Sequence, residues 1–208
     1  YVLNLNEVQT YDIKQKDQPV LVHRLSTDYG LETITIYDNS AFLGSSTALY
    51  ILDLSNPAAP KIQSQSVRDL DFGRCDPVAV KDNYAYSTVK VLAENVCGNF
   101  SYISALLVYD ISDKSAPLLV GTYNLLSPNG LGYKDNYLFV CDEELDQVVV
   151  FDISNPLALV PTTFNVPITD PNDLIVDGQR MIVSAKTEFQ VFDISDVTQV
   201  RKIGQISK

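Results

Sequence analysis

Short runs of Val, Ile, Leu, Tyr and Phe alternate along the chain with turns rich in Asp, Asn, Gly, Pro and Ser. Runs of about four to eight such residues predict β-strands, and no stretch holds a helical period long enough to compete. One phrase recurs five times: an apolar run, an aromatic residue or Leu, Asp, then Ile or Leu. It reads VQTYDIK around Asp12, LYILDLS around Asp53, LLVYDIS around Asp110, VVVFDIS around Asp152 and FQVFDIS around Asp193. The intervals between these aspartates are 41, 57, 42 and 41 residues, so the long one carries an insertion.

Each unit shares an internal order of four runs, A to D, with the aspartate phrase closing run C. Asp38-Asn39, Asp82-Asn83, Asp135-Asn136 and Gly178-Gln179 sit between runs A and B, where the left-handed backbone of a tight hairpin is expected. Pro19, Pro60 and Pro117 follow the aspartate in the first three units, each ahead of run D. Four strands in about 41 residues is the unit of a propeller blade; a β-helix repeat is shorter, and tetratricopeptide or ankyrin units carry helices. The expectation is one all-β domain over residues 1–208, a β-propeller of about five four-stranded blades. The blades fall at approximately 1–27, 28–70, 71–126, 127–168 and 169–208. The first unit has no run A, so the chain reads as the C-terminal part of something longer.

Composition narrows the function. Fifteen Lys and Arg against 26 Asp and Glu give a net charge of −11 over 208 residues, which speaks against nucleic acid as a partner. No apolar run approaches the length of a membrane span, and the opening residues carry no signal-peptide pattern. There is no G-x-S-x-G elbow, phosphate-binding glycine loop, H-E-x-x-H or C-x-x-C pair, and the single histidine, His23, stands in an outer run. No cofactor is expected on these grounds, calcium excepted.

The phrases ILDLSNPAAP, VYDISDKSAP and FDISNPLAL resemble the LVIVD repeat. The element GRCDPVAVKDNYAYSTV, followed by Cys97-Gly98, resembles LVIVD-repeat surface proteins and lipoproteins of Bacteroidetes-type bacteria. This resemblance implies an exported protein, periplasmic or at the cell surface.

Two sets of residues are candidates for a site. Counting back six from each A–B turn gives Glu32, Asp76, Asn129 and Asn172, with Asp173 beside the last. Run A is innermost in a propeller, so this column would surround the mouth of the central channel. Its carboxylate and amide oxygens suit calcium, or else satisfy backbone groups where the chain joins each blade. The B–C loops share the mouth side and differ between blades. Blade four offers Asp142, Glu143, Glu144 and Asp146, and blade three an insertion bearing Phe100 and Tyr102. The aspartates of the repeated phrase are expected to hold turns, one task repeated in every blade. Cys75 before run A and Cys97 in the insertion of the same blade are placed for a disulfide, which fits an oxidising compartment; Cys141 is left as a small buried hydrophobe.

The leading functional expectation is an exported, non-catalytic binding or scaffold module that takes a protein or carbohydrate ligand at the cell surface. The alternatives are a glycosidase using channel-mouth carboxylates about 5–10 Å apart, and a calcium-stabilised structural domain.

Overall fold

The computed structural model describes residues 1–28, 30–45, 48–67, 74–90 and 104–208, the side chains of 67 and 74–76 excepted. Within them every regular element is a strand, and five antiparallel sheets follow one another along the chain. The first holds β1 (Val2–Asn4), β2 (Glu7–Asp12) and β3 (Val20–Ser26). The second holds β4 (Leu31–Tyr37), β5 (Ser40–Ser45), β6 (Ala48–Asp53) and β7 (Lys61–Val67). The third holds β8 (Arg74–Lys81), β9 (Tyr84–Lys90), β10 (Ala105–Asp110) and β11 (Leu118–Asn124). The fourth is β12 (Pro128–Lys134), β13 (Tyr137–Asp142), β14 (Gln147–Asp152) and an outer edge broken into β15 (Val160–Pro161) and β16 (Val166–Pro167). The fifth is β17 (Pro171–Asp177), β18 (Arg180–Ala185), β19 (Glu188–Asp193) and β20 (Arg201–Ser207).

The inner strands β4, β8, β12 and β17 pack side by side in chain order, the arrangement of propeller blades around a channel. Because strand side chains alternate, the second, third and fourth sheets bury both faces, one against the predecessor and one against the successor. Four cores result. Val8, with Leu3 and Leu25, meets Ala41, Leu43, Tyr50 and Leu52 of the second blade. Phe42, Leu49 and Ile51 meet Val78, Ala85, Leu107 and Tyr109 of the third. Tyr86, Leu106 and Val108 meet Leu138, Val140 and Phe151 of the fourth. Phe139, Val148 and Val150 meet Leu174, Met181, Val183 and Phe192 of the fifth. Each fully buried Phe or Leu in these seams is worth about 1.5–3 kcal/mol over its exposed state, so the seams carry the fold.

The turns are as uniform as the sequence phrases. Asp38, Asp82 and Asp135 have φ of 52°, 54° and 53°, and Gly178 of 58°, all in the left-handed region that Asp and Gly tolerate best. At the C–D turn Oδ1 of Asp53, Asp110, Asp152 and Asp193 accepts the N–H of Ser55, Ser112, Ser154 and Ser195 at 2.8–2.9 Å. Asp12 accepts Lys14 N–H at 2.9 Å in the same way. The residue directly after the aspartate donates to the A–B hairpin of the same blade, as in Leu54 N–H to Asn39 O at 2.8 Å and Ile194 N–H to Gln179 O at 2.9 Å. These contacts tie the two turns together in blades two to five, at the end opposite the channel mouth.

The fourth blade departs from the pattern. Its outer edge pairs with β14 only at its two ends. Between them Val150 is served locally: its N–H donates to Asn165 Oδ1 at 3.1 Å, and its carbonyl accepts Thr162 N–H at 2.8 Å. Prolines at 161 and 167, which have no N–H, are tolerated because this is an edge.

Candidate functional site

The mouth end of every inner strand carries a β-bulge. Pairing of strands A and B shifts between Leu31 and Thr33, Cys75 and Val78, Pro128 and Leu131, and Pro171 and Asp173. Glu32, Asp76, Asn129 and Asn172 stand inside these four irregularities. A bulge turns its residues out of the pleat and bends the strand, so the polar column sits where backbone geometry changes in the same way in each blade. Glu32, Asn172 and Asp173 are exposed, Asn129 is buried, and Asp76 is described by its backbone alone.

Asn129 is the node between three blades. Its Nδ2 donates to Pro171 O of blade five at 3.4 Å and to Glu143 Oε2 at 3.4 Å. Its Oδ1 accepts Lys90 Nζ of blade three at 3.4 Å, and its carbonyl accepts Thr88 Oγ1 at 2.7 Å. Lys90 and Glu143 complete the node as a hydrogen-bonded ion pair across blades three and four. That pairing holds the Glu143 carboxyl below the usual glutamate range. Lys90 escaped the sequence reading; its place at the end of YAYSTVK, just before the insertion, was the available signal.

The acidic loop of blade four divides its residues between two roles. Asp142 is fully buried and accepts N–H groups of Leu126 at 3.0 Å, Ser127 at 3.1 Å and Leu145 at 3.2 Å, so it organises the loop from within. Asp146, with φ of 51°, accepts Asp170 N–H at 2.8 Å and joins the loop to the chain leading into blade five. Glu143 is engaged by Lys90, and Glu144 points to solvent. Asp173 accepts the N–H of Leu174 at 2.8 Å and lies hard against Gly130 of blade four. A Cβ on Gly130 would stand 2.5 Å from Asp173 Cα, which is why only glycine fits there.

Phe100, Tyr102 and Cys97 lie outside the described residues, and Cys75 is described only as backbone of β8, so the proposed bridge falls outside them as well. Cys141 is a buried free thiol in β13, its pKa pushed up by burial and by the neighbouring Asp173 and Asp142 carboxylates. Among the described residues no group of three or more His, Cys, Asp or Glu gathers to hold a metal ion, and no helix is long and apolar enough to cross a membrane.

Two cavities reach the mouth-side loops. One of about 430 Å³ lies at the β1–β2 turn, lined by Asn4, Leu5, Glu7, Arg24 and Thr27. The other, about 590 Å³, runs from Asp146, Ile168 and Thr169 along the seam between blades four and five to Gln190, Phe192 and Lys202.

Ordered antiparallel sheets with adjacent inner strands and repeated turns define a β-propeller. The chain carries LVIVD repeats, matched over residues 32–66, 95–125 and 131–160. Solved structures agree on the fold. A protein from Lactobacillus plantarum superposes with TM-score 0.76 at 10% identity, over 96% of this chain and 64% of its own. The hydrazine synthase of Kuenenia stuttgartiensis gives 0.64 at 14%, over 95% and 64%. A nidogen/laminin complex gives 0.61 at 13%, over 92% and 68%. The chain thus spans about two thirds of each of these neighbours. No curated protein matches it.

Proposed function

We propose that this chain is an exported, non-catalytic binding or scaffold propeller whose working face is the channel mouth. One observation carries the reading. The mouth face gathers the four bulges, the loops that differ from blade to blade and the cavity at the β1–β2 turn, whereas the opposite face repeats the same turns. Loops that vary on a rigid scaffold are where propellers and other frameworks place recognition. Fold alone decides nothing, since the structural neighbours include a hydrazine synthase and a nidogen/laminin complex.

A glycosidase needs one carboxyl held protonated, with its pKa raised; Glu143 at the mouth is held in the opposite direction by Lys90 and does not supply that acid. The resemblance to bacterial surface proteins and the placement of Cys75 and Cys97 in one blade support export and a disulfide.

The test is a binding screen of the immobilised chain against cell-surface glycans and extracellular protein fractions. The paired variants are Glu32→Arg with Asn172→Arg at the mouth, and Asp113→Arg on the opposite face. Capture lost only in the mouth variant supports the proposal; capture lost only in the opposite-face variant sinks it. Melting with calcium and with a chelator, repeated for Asp76→Ala, tests an ion at the mouth. A drop in melting temperature under reductant that is absent in Cys97→Ser supports the bridge.

A further inference from the structure

The repeat fixes which strand positions face the preceding blade, so departures at those positions stand out residue by residue. Three places before the turn aspartate stand Tyr50, Leu107 and Val149, each buried against the blade before it. Blade five has Gln190 there. One place before the aspartate, the third strand pairs with the outer edge: Leu52 with Ile62, Tyr109 with Leu119, and Phe151 with Pro161. Blade five pairs Phe192 with Lys202. The face that blade five turns toward blade four thus carries an amide and a cation where its counterparts are apolar. Polar groups cost free energy in a seam packed only against itself, and blades two to four avoid them at both positions.

The seam opposite these residues is open. β7 pairs with the full length of β6, and β11 with that of β10, but the outer edge of blade four leaves β14 after Pro161 and returns at Val166. The cavity of about 590 Å³ lies between that returning segment, 166–169, and strands β19 and β20. Its walls belong to consecutive blades whose inner strands β12 and β17 pack together, and Phe139, Leu174 and Met181 fill the same seam elsewhere. The volume falls within the range of about 300–1,000 Å³ usual for small-molecule sites. Val166, Ile168, Phe192 and Val200 give it an apolar lining. Its charges are of opposite sign: Lys202 stands toward the C–D turn and Asp146 at the mouth-side loop. Neither forms an ion pair with another described residue, whereas Arg201 beside Lys202 is held by Asp193. Gln190 Nε2 donates to Glu188, which leaves its Oε1 as an acceptor.

We propose that this cavity binds a small zwitterion with an apolar body, of the amino-acid class. Its carboxylate meets Lys202, its ammonium meets Asp146 and Gln190 Oε1, and its hydrocarbon part lies on Phe192 and Val200. The site sits in the seam between blades four and five, apart from the polar column of the channel mouth, so the two readings stand or fall separately. Three probes share one apolar chain and differ in charge: 6-aminohexanoate, hexanoate and hexylammonium. Saturation-transfer NMR on the full chain should rank 6-aminohexanoate the tightest. Lys202→Leu gives blade five the residue that blade three has at Leu119, and Asp146→Asn keeps the Oδ1 acceptor for Asp170 N–H. Each should weaken 6-aminohexanoate about tenfold, the worth of one charge-assisted hydrogen bond. Lys202→Leu should spare hexylammonium and Asp146→Asn should spare hexanoate, a crossed pattern that a general loss of structure would not give. Melting of Lys202→Leu should match or exceed that of the parent chain. Absence of 6-aminohexanoate binding at millimolar concentration overturns the proposal, as does equal binding of the three probes or parental affinity in Lys202→Leu.

Discussion

The two ends of the propeller handle acidic residues in opposite ways. At the end away from the mouth, five aspartates do one job: each accepts the N–H of the residue two positions on, and a serine hydroxyl or a cation assists Asp12, Asp53 and Asp193. At the mouth, neighbouring acids do different jobs. Asp142 is buried under three N–H groups, Glu143 bridges to Lys90 of another blade, and Asp146 ties the chain into the next blade. Uniform turns need only local partners, so the repeat can copy them. The mouth is knit across blades, so each residue there depends on its neighbours, and the contrast can be tested by perturbing each end in turn.

The largest effect should come from Gly130→Ala. The new Cβ would meet backbone, Asp173 Cα at 2.5 Å and Leu174 N at 2.8 Å, and no side chain can move aside to relieve it. A loss of about 3 kcal/mol in denaturant unfolding is expected. Gly132→Ala should cost less, about 1 kcal/mol, because it meets the ends of Leu174 and Val176. Equal losses would mean the seam yields as one body and would blunt the distinction.

Asp142→Ala comes next, with a loss of about 2–3 kcal/mol, since it strands buried N–H groups that a charged acceptor satisfied. Asp110→Ala at the opposite end should cost clearly less, because its turn is exposed and water can replace the carboxylate. If the two variants unfold at the same denaturant concentration, the two ends are not distinct in the way argued above.

Acid should act mainly on the uniform end. Bonding to Ser195 N–H, to its hydroxyl and to Arg201 lowers the Asp193 pKa from the ordinary value to about 2. The N–H and hydroxyl of the serine two positions on likewise lower Asp53, Asp110 and Asp152. A folded-state pKa below the unfolded one gives stability that is complete above the ordinary aspartate value and is lost as pH falls toward the folded value. Stability should therefore decline between about pH 4 and pH 2, and Asp193→Asn should make that decline shallower. The smallest effect concerns Cys141: buried, with its pKa pushed up, it should resist a thiol reagent in the native chain and react on unfolding.

What the sequence made legible follows from what repeats. The five aspartate phrases and the Asp-Asn pairs located the sheets and the left-handed turns, because both depend on side chains acting on their own backbone. The polar column was also legible, as a fixed offset from each turn. Its setting was not: a bulge depends on how two strands settle against each other, and no apolar pattern marks it. The fates of Asp142 and Glu143 were equally hidden, since adjacent carboxylates in one loop differ only in which way the strand end turns them. In blade four the run LVPTTFNVP held the signal for a broken edge in its two prolines, Pro161 and Pro167.

That broken edge has a meaning beyond the blade it interrupts. An outermost strand offers its free N–H and C=O groups to any extended chain that drifts past, and a long regular edge invites sheets to grow from molecule to molecule. Here the mid-edge groups of Val150 are already taken by Thr162 and Asn165, and the prolines have no N–H to extend. Blade four is thus closed to strand addition along the middle of its outer edge.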